Sequence, residues 1–376
     1  IGAALATQLA PHGFSIALVE AQAPVAYDLS QTFDLKICAL SPKSAQVMQQ
    51  SDAWDILQGM RLCPYKRMRV WEMSGFGDLM FSASQVGVAE LGHIVENRLV
   101  QLSLWQSLQT NNNVEVICPA SPKTFRHVGP ITHIELDNGA SITARLVVGA
   151  DGAQSKVRQA FGIGVNRGQY QQACLVASVN TQLGQQDITW QRFVSTGPQA
   201  FLPLLGQHGS VVWYHQADKA RALANLSHEH LADEIMAQFP RQLGFIEVTA
   251  KASFGLQKQH AQSYCAKGMV LIGDAAHVIN PLAGQGVNLG FQDVASLANV
   301  LTQARSNGED WATQRVLMRY QKQRKLANSL MLHSMDAFHH GFSNTNIKTK
   351  WLRNLALSSA KIPLIKKQVI RYAMGI

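Results

Sequence analysis

The run Gly273-Asp274-Ala275-Ala276-His277, followed by Asn280-Pro281-Leu282-Ala283-Gly284-Gln285-Gly286-Val287-Asn288-Leu289-Gly290, concentrates the chemistry of this sequence. Before it, the apolar residues Met269-Val270-Leu271-Ile272 between Gly268 and a Gly-Asp stop predict a buried strand. An aspartate at the end of such a strand is placed to accept hydrogen bonds from ribityl or ribose hydroxyls. Gly284 and Gly286, flanking Gln285, let backbone N–H groups approach a flat ring or a phosphate with no side chain intervening. Helical spacing over 287–301 then predicts a helix. Its N-terminus at Val287 and Asn288 would aim partial positive charge at the same ligand.

Two further stretches share this character. Gly2, Ala6, Leu9 and Gly13 precede the strand-like Ser15-Ile16-Ala17-Leu18-Val19, which ends at Glu20. That order is the back half of a dinucleotide-binding βαβ unit, with the acid about 20 positions on to take ribose hydroxyls. The usual first strand and the first two glycines of G-x-G-x-x-G do not appear ahead of Ile1. The second stretch is Val147-Val148-Gly149-Ala150-Asp151-Gly152-Ala153-Gln154-Ser155-Lys156-Val157-Arg158. Here a short apolar strand runs into Asp-Gly, and Ser155 is placed to cap a helix carrying Lys156 and Arg158.

Together these stretches resemble the flavin motifs of the class A flavoprotein monooxygenases. Within that family, Val95-Glu96-Asn97-Arg98-Leu99-Val100-Gln101, Trp213-Tyr214 and Met335-Asp336 through Gly341-Phe342-Ser343-Asn344 look like the ubiquinone-biosynthesis hydroxylases. Asn280 before Pro281 supports one branch, since sister ring hydroxylases usually carry histidine there. One departure stands at Asp34-Leu35-Lys36-Ile37-Cys38-Ala39-Leu40-Ser41, where the family commonly has arginine in place of Lys36. Lysine keeps the charge but loses the planar fork.

The resemblance implies FAD as cofactor and NAD(P)H as electron donor. It places cofactor contacts at Gly2, Glu20, Lys36, Asn97, Gln101, Asp151, Gly152, Gly273, Asp274, Gly284, Gly286, Val287 and Asn288. It implies a C4a-hydroperoxide of the flavin that attacks an electron-rich benzoquinol ring bearing a polyprenyl tail. A hydroquinol already carries electron-donating hydroxyls, so no general base is named. The catalytic expectation rests on the flavin-facing loop of Pro281, Gly284, Gln285 and Gly286, with the tail channel drawn from Phe193, Phe201, Leu202, Leu204 and Trp213. Three alternatives stay open: a hydroxylase acting at another ring position in the same pathway, a flavin reductase or dehydrogenase on the same fold, and a non-catalytic lipid-side subunit.

Composition suits an enzyme with a sizeable core, at 376 residues with 47% hydrophobic and 15% charged residues. The five cysteines are scattered and show no C-x-x-C spacing, which predicts a reducing compartment, no disulfide framework and no metal site. No apolar run reaches the roughly 18 residues of a membrane span. The expected location is cytoplasmic, peripheral to the inner face of the cytoplasmic membrane.

The formal charge of +9 is unevenly spread: from Arg315 onward twelve lysines and arginines face the single acid Asp336. Trp351, Leu352, Leu355, Ile362, Ile365 and Ile370 are interleaved with them. This pattern suits a membrane surface or a lipid-carrying partner, and equally a solvated helix face. Nucleic acid is disfavoured for want of a recognition motif. A homo-oligomer is compatible with the sequence.

The fold class expected is α/β: a Rossmann-like FAD-binding domain over 1–75, 92–163 and 265–310, lacking its first strand. An α+β substrate domain with an antiparallel sheet interrupts it over 76–91 and 164–264, and 311–376 forms a helical C-terminal region. Asp137-Asn138-Gly139 between two alternating runs signals a hairpin. Helices are expected over 97–108 and near 231–239, and strands over 173–179, 189–194 and 210–213.

Overall fold

The computed structural model describes residues 1–73, 78–279 and 286–343, with side chains as far as residue 336. Small residues dominate α1 (Gly2–Leu9), so it packs closely on α4 (Asn97–Leu108) and α8 (Gly286–Ser306). Gly13, at φ 75°, reverses the chain into β1 (Ile16–Val19). That strand pairs in parallel with β7 (Val114–Ile117). A second parallel pair joins β11 (Val147–Gly149) to β18 (Met269–Leu271), with β17 (Cys265–Ala266) antiparallel at its edge.

No described strand joins the two pieces. A cleft of about 1440 Å³ is lined by both, including Ile16, Leu18, Val148, Ala150 and Phe291.

Beside these lies an antiparallel trio in the order β2 (Ile37–Leu40), β6 (Gly92–Glu96), β3 (Cys63–Tyr65). After β2, the Ser41 hydroxyl accepts from Ser44 N at 3.2 Å and caps α2 (Pro42–Gln50), with proline at the helix start where no N–H is needed. Helix α3 (Trp54–Gln58) follows. A meander of β8 (Pro122–Val128), β9 (Ile131–Leu136) and β10 (Ser141–Ala144) contains the expected hairpin, with Gly139 at φ 85° in its turn.

The remaining strands form one eight-stranded sheet, order β19-β16-β12-β15-β14-β13-β4-β5. They are β4 (Arg67–Glu72), β5 (Asp78–Ser82), β12 (Val165–Thr181), β13 (Ile188–Val194), β14 (Gly197–Pro203), β15 (His208–Gln216), β16 (Ile246–Ala261) and β19 (His277–Val278). All pair antiparallel except β13 with β4. The chain thus enters this sheet at Arg67, ahead of the boundary expected at 75. Strands β4 and β5 pair antiparallel, and residues 74–77 between them lie outside the described residues.

Helices α6 (Ala217–Asn225) and α7 (His228–Gln238) cover one face of this sheet. Alternation along the strands divides the side chains. Leu175, Ala177, Trp190, Phe201, Val211 and Trp213 pack beneath those helices with Phe239. Leu202 and Leu204 instead meet Phe33, Ala39, Cys63 and Ile94 of the nucleotide-binding side. The expected tail channel is therefore corrected. Phe201 and Trp213 are sheet core on the far face, and only Leu202, Leu204 and, by alternation from Trp190, Phe193 face away from α6 and α7.

The short α5 (Lys156–Ala160) follows β11, and the long α9 (Gln314–Ser343) follows α8. No described helix is long and apolar enough to cross a membrane. Lys348, Lys350, Arg353, Lys361, Lys366, Lys367 and Arg371, with their apolar neighbours, lie outside the described residues.

Candidate active site

The chain reverses after β18 in a turn at Gly273–Ala275, with Gly273 at φ 60°. Three buried groups hold it. Gly273 N donates to Asp293 Oδ2 at 3.0 Å, Arg158 Nη1 donates to the Ala275 carbonyl at 2.8 Å, and Tyr320 OH donates to the Leu271 carbonyl at 2.9 Å. Between these anchors the Asp274 side chain keeps solvent contact and makes no hydrogen bond among the described residues. Crowding by protein raises its carboxyl above the usual range through desolvation, against the opposing charge of His277. An exposed acceptor with no partner among the described residues is free to accept from a ligand hydroxyl.

The Asp-Gly turn is built equally firmly. Asp151 Oδ2 accepts from Val157 N at 3.1 Å, Gly152 sits at φ 78°, and the Ser155 hydroxyl caps α5 by accepting from Arg158 N at 2.9 Å. A Cβ on Gly149 would meet Leu271 Cδ2 at 2.7 Å and Val157 Cβ at 3.1 Å, so only glycine lets strand and helix approach this closely. Arg158, which the sequence suggests as a helix cation, is 1% exposed. Its guanidinium bonds the carbonyls of Ala153 and Ala275, each at 2.8 Å, and so ties the Asp-Gly turn to the Gly-Asp turn.

Gly2, Glu20, Asn97, Gln101, Asp151 and Val287 all line the cleft between β1 and β11. Lys36, Gly152, Gly273, Asp274, Gly286 and Asn288 do not. Gly2 and Gly273 still converge, because a Cβ on Gly2 would lie 3.3 Å from Ala150 Cβ and one on Gly273 would lie 3.3 Å from Ile1 Cγ2. Lys36 is exposed, but its carbonyl accepts from Asn97 N at 3.0 Å, so these two sites are joined through backbone. The Asn97 side-chain oxygen is buried with no partner among the described residues. Pro281, Gly284 and Gln285 lie outside the described residues.

Asn288 differs from expectation. Its side chain, on a residue 2% exposed, donates to the Ala39 carbonyl at 2.8 Å and accepts from Ser41 N at 2.9 Å and the Ser44 hydroxyl at 2.6 Å. Three of the four hydrogen-bonding positions of the amide lock α8 to β2 and α2, which leaves one side-chain N–H and the backbone for a ligand.

Two charged clusters were not anticipated. Glu96, 1% exposed, bonds Arg61 Nη2 at 3.2 Å and accepts from Asp34 N at 2.9 Å beside Lys36; desolvation raises its carboxyl despite these contacts. Asp293 is fully buried against Arg324, which the sequence groups with exposed cations. A lone acid in an otherwise apolar and amide-bearing helix, Leu289-Gly290-Phe291-Gln292-Asp293-Val294, was the available signal.

These groups fit FAD: Asp274 lies on the turn that follows β18, Glu20 directly follows β1, and the buried Asn97 oxygen has no partner among the described residues. Comparison with known proteins agrees. Residues 96–334 match the model of the FAD binding domain family. Over its full length the chain is 41% identical to the 3-demethoxyubiquinol 3-hydroxylase of Escherichia coli, covering 96% of that protein. It is 30% identical to the mitochondrial ubiquinone biosynthesis monooxygenase of Xenopus tropicalis over 99% of this chain and 91% of that one. In fold it is similar to p-nitrophenol 4-monooxygenase from Pseudomonas putida, with a TM-score of 0.79 at 17% identity over 99% of this chain and 95% of that one. Motifs, fold and relatives converge, and the chain belongs to the FAD-dependent hydroxylases of ubiquinone biosynthesis.

Proposed function

We propose that this protein inserts one atom of O2 into the ring of a polyprenylated benzoquinol, with FAD as cofactor and NAD(P)H as electron donor. The observation that carries this reading is Asp274, an acceptor with no internal hydrogen bond, held on a turn anchored at both ends by buried charged groups. When bound, FAD supplies reduction and oxygen activation. The protein's part is placement and exclusion of water. Asp274 holds a ribityl hydroxyl, Glu20 takes ribose hydroxyls, and Asn97 accepts from the cofactor beside α4.

Leu202 and Leu204, packed against Phe33 and Ile94, form the apolar wall between the large sheet and the nucleotide-binding side. We assign this wall to the substrate ring and the start of its tail. In this reading the flavin portion comprises 1–66, 92–163 and 265–310, and the substrate portion 67–91 and 164–264. The cations beyond residue 344 collect the substrate from an anionic membrane or a lipid-carrying partner.

The test is oxygen uptake with NAD(P)H and a short-tailed demethoxyquinol, with products identified by mass spectrometry. Uptake matched by hydroxylated product supports the reading. NAD(P)H oxidation with no hydroxylated product favours a flavin reductase instead.

A further inference from the structure

The turn that presents Asp274 rests on a buried network that the motifs alone do not disclose. Asp293 lies two turns into α8 and is 0% exposed. Its Oδ2 accepts from Gly273 N at 3.0 Å and from His277 Nε2. Its Oδ1 accepts from Arg324 Nε at 2.8 Å and Asn328 Nδ2 at 3.2 Å, both on α9. Burial alone would raise this carboxyl, but His277 and Arg324 outweigh it and hold it below the usual range. Arg324 is fixed in turn by Asn328 Oδ1 at 2.7 Å and Gln292 Oε1 at 3.1 Å. The network runs on from Asn328 to Tyr264 OH at 3.2 Å and from there to His260 Nε2 at 2.8 Å.

We infer that Asp293 is a positioning residue for the cofactor: anchored by α9, its carboxylate fixes the Gly273 peptide and so sets where Asp274 presents its acceptor. Gly273 opens that turn. Its left-handed backbone has no side chain to hold it; its carbonyl accepts from Ala276 N at 2.9 Å within the turn, and its N–H is held from outside the turn by Asp293. A carboxylate accepting four donors cannot follow a moving N–H, because any displacement breaks bonds to α9 that are costly to leave unmade. The inference rests on the assignment of Asp274 to the flavin, and its test carries a readout that needs no flavin.

The experiment compares Asp293→Asn and Asp293→Glu with Asn328→Ala in the full chain. Asn328→Ala strips a donor from the same carboxylate without touching Gly273. Amide hydrogen exchange across 271–277 is measured without flavin, and FAD dissociation constants are measured by flavin fluorescence. Both Asp293 variants should speed Gly273 exchange and weaken FAD by about tenfold or more. Asn328→Ala should lower thermal stability yet leave both readouts within about twofold of the parent. Faster Gly273 exchange with unaltered FAD affinity would overturn the assignment of Asp274 and with it the positioning role. Unchanged exchange in the Asp293 variants, or an equal response from Asn328→Ala, would show a general structural role. Failure of both Asp293 variants to fold, with Asn328→Ala folded, would also make the residue structural and end the proposal.

Discussion

Replacing Asp274 with alanine tests the cofactor site where it is most exposed to disproof. A hydrogen bond to a charged acceptor contributes about 1.5–3 kcal/mol. Asp274 retains solvent contact, so the hydroxyl it releases would find water, and the loss should be nearer 1–2 kcal/mol. That corresponds to FAD binding weakened roughly 5- to 30-fold, read by titrating the apoprotein and following flavin fluorescence. Asp274→Asn keeps an oxygen acceptor and should recover part of the loss. Folding should respond in the opposite sense. The carboxyl is raised above 3.8 in the folded protein by desolvation, so its ionised form is disfavoured by folding. At pH above the raised value, either substitution should therefore leave the melting temperature unchanged or higher. That difference should shrink as pH falls through the raised value and vanish below 3.8. Unchanged FAD affinity, or a marked loss of stability at neutral pH, would refute the reasoning.

Other consequences follow from the same structure. Asn288→Ala removes three buried hydrogen bonds and should destabilise the fold by about 2–4 kcal/mol in urea unfolding; a change under about 0.5 kcal/mol would contradict the locking role. Neutralising Lys348, Lys350, Lys361, Lys366, Lys367 and Arg371 should abolish binding to acidic vesicles while sparing turnover of a short-tailed quinol. Binding by the parent chain should weaken with salt, as the Debye length shortens from about 10 Å at 0.1 M; vesicle binding insensitive to both would place substrate delivery elsewhere.

Local signals were legible in the sequence and long-range ones were not. The Asp137-Asn138-Gly139 hairpin, the cap at Ser155 and helix α4 each depend on neighbours within a few residues, and each forms as expected. Membership of β4 in the large sheet depends on a parallel pairing of Arg67 with Ile188, which leaves no mark on 67–72 itself. Phe201 and Leu202 are both apolar, and only the alternation of a strand whose faces are known sends one beneath α7 and the other toward Phe33. The site shows the same division. The glycines and Asp274 stand out from spacing as candidates, because a ligand's approach to backbone would demand such residues locally. Arg158, Asn288 and Asp293 were misread or missed because their partners lie 117, 249 and 20 residues away. A side chain's charge or amide gives no sign that it is buried and paired.

The central claim is that this chain transfers an oxygen atom from O2 to a benzoquinol ring. The most direct measurement is turnover of a short-tailed demethoxyquinol with FAD, NAD(P)H and isotopically labelled dioxygen, with the product analysed by mass spectrometry. The account predicts one labelled oxygen atom on the ring, with its partner atom leaving as water and NAD(P)H consumed in step. Unlabelled product, or NAD(P)H consumption that ends in hydrogen peroxide with the quinol unaltered, would contradict it.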